Sequence, residues 1–138
     1  MNALRAYRNT ATPPTERIDF ILSHLRRVLA AYRQADEALE TGDTLAAQRY
    51  LAMAQMILSG LAAGHSDPSD ALAANFLRIY EFASHQASLA SRPAIASALA
   101  ALKPLLGAFE AVESEARRLE RAGSIPPLGQ QAMVQVTA

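Results

Sequence analysis

The stretch Ile18-Asp19-Phe20-Ile21-Leu22-Ser23-His24-Leu25-Arg26-Arg27-Val28-Leu29-Ala30-Ala31-Tyr32-Arg33-Gln34-Ala35-Asp36-Glu37-Ala38-Leu39 decides the fold class. Ile18, Ile21, Leu22, Leu25, Val28, Leu29, Tyr32, Ala35 and Leu39 recur at three- and four-residue steps, while Asp19, Arg26, Arg33, Asp36 and Glu37 fall off that line. That period is helical, and it gives one apolar face for a partner and one charged face for water. Phe20 lies off the stripe and needs cover of its own.

Working outward, Thr12-Pro13-Pro14 predicts the start of this helix, because a Thr side chain caps orphan N–H groups and Pro in the first turn loses no hydrogen bond. Gly42 with Asp43 or Thr44 predicts a tight hairpin into a second helix striped by Leu51, Ala54, Ile57, Leu58 and Leu61 and ending near Gly64. Asp67, Pro68 and Asp70 predict the start of a third helix to about Ala90, with Leu72, Phe76, Ile79, Ala83 and Ala87 inward and Leu77 and Tyr80 beside them. Ser91-Arg92-Pro93 predicts a fourth, from about Pro93 to Arg121, lined by Ile95, Leu99, Leu102, Leu106, Phe109, Val112, Ala116 and Leu119. Pro104 should bend it.

These segments predict an all-α protein, an up-and-down antiparallel four-helix bundle. Residues 1–12 form a short N-terminal segment, residues 13–122 the bundle, and residues 123–138 a flexible tail. Composition agrees: 51% of the chain is apolar, much of it Ala, and only 6% is aromatic, which favours helix over strand.

Thirteen basic and thirteen acidic side chains balance, so the chain lacks the positive field of a nucleic-acid binder. The six arginines up to Arg33 and the acidic run Asp36, Glu37, Glu40 and Asp43 read as solvated helix faces. The chain has no Cys, which removes thiolate chemistry and suits a reducing cytosol. Met1 to Arg8 contains no continuous apolar run, so the reading is cytoplasmic, without membrane insertion.

A search for chemistry finds little. His24 is followed by Leu25-Arg26-Arg27-Val28, without the Gly that leaves room for a phosphoryl group in phosphotransfer bundles, so that reading ranks last. Glu81 and His85 share a helix face, but a metal-binding bundle needs a second such set. No nucleophile turn or phosphate loop occurs, so no enzyme, metal or cofactor is expected.

Taken in order, several runs resemble the flagellar secretion chaperone family (FliS). Ala6-Tyr7-Arg8 resembles its N-terminal A-Y-x segment, and Pro14-Thr15-Glu16-Arg17-Ile18 its P-x-E-L-I run. Ala35, Ala38, Leu39, Glu40 and Asp43 resemble its hairpin. Ala54-Gln55-Met56-Ile57-Leu58 with Leu61 resembles K-A-Q-x-I-I-x-E-L, with Met53 and Gly60 in place of Lys and Glu. Ala73-Ala74-Asn75-Phe76, continuing through Ile79-Tyr80-Glu81-Phe82, resembles A-x-N-L-x-x-L-Y-x-Y. Leu22, Ser23 and His24 depart from the family's M-L-Y-D-G run, and Phe109 stands in place of its Trp.

The resemblance implies an export chaperone that binds the disordered C-terminal segment of flagellin and prevents premature polymerisation, with the flagellar export gate as a further partner. It implies Tyr7, Gln55, Asn75, Tyr80 and Phe82 as partner-binding residues, with Tyr7 on a lid over the same surface. An adaptor bundle of the same fold with another protein client is the alternative.

Overall fold

The computed structural model describes residues 17–64 and 71–123. The Thr12-Pro13-Pro14 helix start, Tyr7 with its lid segment, the Asp67 to Asp70 cap and the tail beyond Gly123 lie outside the described residues. Five helices follow in order: α1 (Arg17–Glu40), α2 (Thr44–Ala63), α3 (Ala71–Leu89), α4 (Arg92–Ala111) and α5 (Glu113–Arg121). The described residues form an all-helical bundle. They fall into two compact units, one of residues 23–108 and one of residues 17–22 with 109–123.

In the larger unit, α1 buries Leu25, Val28, Leu29, Tyr32 and Ala35, as its stripe requires, and leaves Leu39 half-buried. Its hairpin to α2 forms as the sequence predicts. Gly42 adopts φ +79°, a left-handed conformation that suits Gly, and the Asp43 carboxylate accepts from the Ala46 N–H at 3.0 Å, capping an orphan donor of α2. Helix α2 buries Ala47, Leu51, Ala54, Ile57, Leu58 and Leu61 and packs along α3.

Helix α3 is rotated relative to the sequence reading. Its buried residues are Ala73, Tyr80, Ala83 and Ala87, whereas Leu72 is 59% exposed and Phe76 and Ile79 are half-buried. Close helix approach selects small side chains at the contact, so alanines take the inner line and larger residues sit outside it. The Tyr32 hydroxyl donates to the Ala83 carbonyl at 2.6 Å in the core, tying α1 to α3. Burial disfavours the phenolate and pushes the Tyr32 hydroxyl pKa far upward.

Ala90 holds φ 51° between α3 and α4, and the Ser91 hydroxyl accepts from the Ala94 N–H at 3.2 Å to cap α4. The Arg92 guanidinium then donates to both Asp36 oxygens, at 2.9 and 3.2 Å, and holds that carboxyl below the usual range chiefly through this hydrogen bonding. Helix α4 buries Ala94, Ile95, Ala98, Leu102 and Leu105. It runs through Pro104 without interruption, because the carbonyl that Pro104 leaves without a helical donor belongs to exposed Ala100, where water reaches it. By length and composition α4 is the one helix among the described residues able to cross a membrane, with mean hydropathy 1.4. Alanine supplies much of that hydropathy, and its buried side packs in the bundle.

The expected fourth helix is not continuous to Arg121. It breaks at Val112, which is 50% exposed, and resumes as the nine-residue α5. Val112 and Ala116 were expected on an inner face, but Val112 is exposed and Ala116 and Leu119 only half-buried.

In the smaller unit, α5 is held by charge. Arg117 pairs with Asp19 of α1 and with Glu113 at 2.6 Å, while the Arg17 N–H donates to a Glu120 oxygen at 2.7 Å. Glu120 thus places an anion at the start of α1 as described, where the helix dipole favours it. Acidic Glu113 and Glu115 open α5 and basic Arg118 and Arg121 close it, the charge order that a short helix needs.

Candidate functional site

A surface helix ordinarily turns charge toward water. Helix α2 does not: Arg49 is its only charged residue across twenty positions. Its outer line carries Leu45, Ala52, Met56 and Ala63, seven, four and seven residues apart, and Met56 is 75% exposed. Met53 flanks that line and is also exposed. Apolar on both faces, α2 buries one against the bundle and leaves the other without a neighbour in the chain's described residues.

Helix α3 repeats the arrangement. Asn75, Phe82 and Leu89, each seven apart, share one exposed line with Arg78, and Leu72 lies beside it. Phe82 is 42% exposed. Among the described residues the large exposed apolar side chains are Leu45, Met53 and Met56 of α2, Leu72, Phe82 and Leu89 of α3, and Val112. Concentration on two adjacent helices, rather than exposure of any single side chain, makes this face the candidate partner surface.

Between α2 and α3 lies a cleft of about 220 Å³ lined by Leu58, Ser59, Ala62, Tyr80, Glu81 and Ser84. Beside it the Gln55 side-chain amide donates to the Ser84 carbonyl at 3.1 Å, linking the two helices. Tyr80 is 1% exposed and forms part of the cleft floor. Burial pushes its hydroxyl up to about 12, so it is neutral at physiological pH.

The sequence-predicted site residues therefore separate. Gln55 and Tyr80 meet at the α2–α3 seam, and Asn75 and Phe82 share the outward line of α3. Tyr7 lies outside the described residues. Tyr80 was expected beside the inner face and among the partner-binding residues; the packing of α3 buries it fully. Leu45, Met53 and Met56 were not singled out from the sequence, although the near absence of charge from α2 was legible there. His24, the phosphotransfer candidate, is half-buried on α1.

A family model described as flagellar protein FliS matches residues 1–116. The chain belongs to the FliS family. No curated protein and no solved structure matches it. FliS proteins are flagellar export chaperones rather than enzymes, so the feature to explain is a surface that holds another protein. The match spans the whole of α1 to α4 and ends within α5. Arg117 and Glu120, which fasten α5 to α1, lie beyond it.

Proposed function

We propose that this FliS protein binds the C-terminal segment of flagellin in the cytoplasm, keeps it from polymerising, and delivers it to the flagellar export gate, acting by binding and without catalysis. The observation that carries this reading is the uncharged, apolar outer line of α2 beside the Asn75, Phe82 and Leu89 line of α3. A disordered segment that becomes an amphipathic helix brings apolar anchors at three- and four-residue spacing, which such a surface accepts. Flexible Met53 and Met56 adapt to those anchors. Asn75 and Gln55 supply polar contacts at the margin, Phe82 supplies apolar area, and Tyr80 supports the cleft from below. Tyr7 is the residue proposed to cover this surface when no client is bound. Ordering the segment costs conformational entropy, which keeps binding reversible.

Calorimetry on the purified chain tests this reading with a C-terminal flagellin peptide and an N-terminal one as control. A one-to-one complex with the C-terminal peptide is expected, with a fall in heat capacity. Met56→Asp should weaken binding by about tenfold or more, the loss typical of an interface anchor, without lowering the melting temperature. If the folded protein binds neither peptide, the flagellin reading fails and an adaptor with a different client replaces it.

A further inference from the structure

The smaller unit holds an apolar cleft that the client surface does not use. Its walls are Arg17, Ile18 and Ile21 of α1, Phe109 of α4, Val112 at the helix break, and Ala116 and Glu120 of α5, enclosing about 170 Å³. The cleft is open to solvent on one side and lined mainly by aliphatic and aromatic side chains, a surface that accepts an apolar guest. Half-exposed Val112 stands at its margin.

The chain itself supplies a guest. Residues 124–138, Ser-Ile-Pro-Pro-Leu-Gly-Gln-Gln-Ala-Met-Val-Gln-Val-Thr-Ala, contain no charged side chain, and they follow directly on the helix that forms one wall. Gly123 adopts φ +79° and its N–H donates to the Glu120 carbonyl at 3.1 Å, the turn that ends a helix by directing the chain off its axis. From Gly123 back to Ala116 is about 10 Å along α5, whereas the five residues from Ser124 to Leu128 reach roughly 16 Å when extended. Pro126 and Pro127 carry no N–H, so the stretch has two fewer donors that an apolar floor would leave unsatisfied. The segment 1–16, by contrast, carries Arg5, Arg8 and Glu16.

We propose that the cleft between α1, α4 and α5 is the docking site for the chain's own Ile125-Pro126-Pro127-Leu128. Docked there, this strap would cover Ile21, Phe109 and Val112, which keep apolar surface open to water, whereas Ile18 is already buried, and would add apolar contact to the Arg117–Asp19 ion pair.

Because the protein contains no cysteine, Gln130→Cys in the full chain accepts a single nitroxide label. In methyl-labelled protein the Ile18, Ile21 and Val112 resonances should lose about half their intensity or more relative to the reduced label, since a tethered anchor at millimolar effective concentration is mostly docked. Adding Ile125→Asp and Leu128→Asp should abolish the loss while the melting temperature holds. Equal broadening in both backgrounds overturns the proposal, as does unfolding of the double variant, which would make the segment core. Broadening between molecules in a mixture of labelled and isotope-enriched protein would assign the cleft to a second copy. Broadening of the same methyls by a Tyr7→Cys label but not by the Gln130→Cys label would assign it to the N-terminal segment. Either result also overturns the strap.

Discussion

Tyr80→Ala separates the core of this protein from its partner surface. The side chain is fully buried on α3, and truncating a buried aromatic residue costs about 3–5 kcal/mol through lost transfer energy and the cavity left behind. Against the 5–15 kcal/mol that typically holds a domain together, that is about a fifth of the stability or more. For a domain of this size each kcal/mol moves the melting temperature by roughly 3–5 °C, so a fall of about 9–25 °C is expected. Urea unfolding followed by circular dichroism should show the same loss as a lower midpoint at unchanged slope. Phe82→Ala, two positions along the same helix but turned outward, should cost less than about 1 kcal/mol while weakening client binding. If Tyr80→Ala melts within about 2 °C of wild type, Tyr80 does not fill the core and the orientation of α3 is wrong.

Gly60 lies exposed in mid-α2 with nothing within 4 Å of an added methyl group, so Gly60→Ala should raise stability by about 0.5–1 kcal/mol in urea melts. Loss of stability would mean that the position needs the flexibility of Gly. At alkaline pH, an unfolded Tyr80 ionises near 10 while the folded one is held up to about 12. Its contribution is therefore intact below pH 10 and falls by about 1.4 kcal/mol per pH unit as pH rises toward 12, with buried Tyr32 acting in the same direction. Phenolate absorbance should show late-titrating tyrosines that ionise only with unfolding, and Tyr80→Phe should remove one of them.

Helix α1 was readable because its charges and large apolar residues alternate at helical spacing, so that sequence alone separates the wet face from the dry one. In α3 the same method pointed to Leu72 and left Ala73 aside. An alanine contributes little to an apolar stripe, yet its small size is what admits a neighbouring backbone, and only packing reveals that. The break at Val112 carries neither Pro nor Gly, hence no local signal; it becomes visible once Arg117 and Glu120 are seen to be held by α1. On the outward line of α3, Asn75 and Phe82 were legible as polar and aromatic positions within a run. The full burial of Tyr80 was not legible because a tyrosine suits a boundary and a core equally well. The exposure of Met53 and Met56 was not legible because apolar residues on both sides of a helix blur the period that separates inside from outside.

The ion pair between Asp19 and Arg117 joins positions 98 residues apart, and the Arg17 to Glu120 hydrogen bond joins positions 103 apart. A nine-residue helix is too short to persist alone, so α5 exists only while those contacts hold. Bringing such distant positions together carries the largest loop-closure cost in the described chain. That cost falls once α1 to α4 have formed and shortened the path between them. The clasp is therefore expected to form after the four longer helices and, among the described residues, to reopen first. Hydrogen exchange should register this as α5 amides trading with solvent through a local opening, at a free energy well below that of the amides surrounding Leu102.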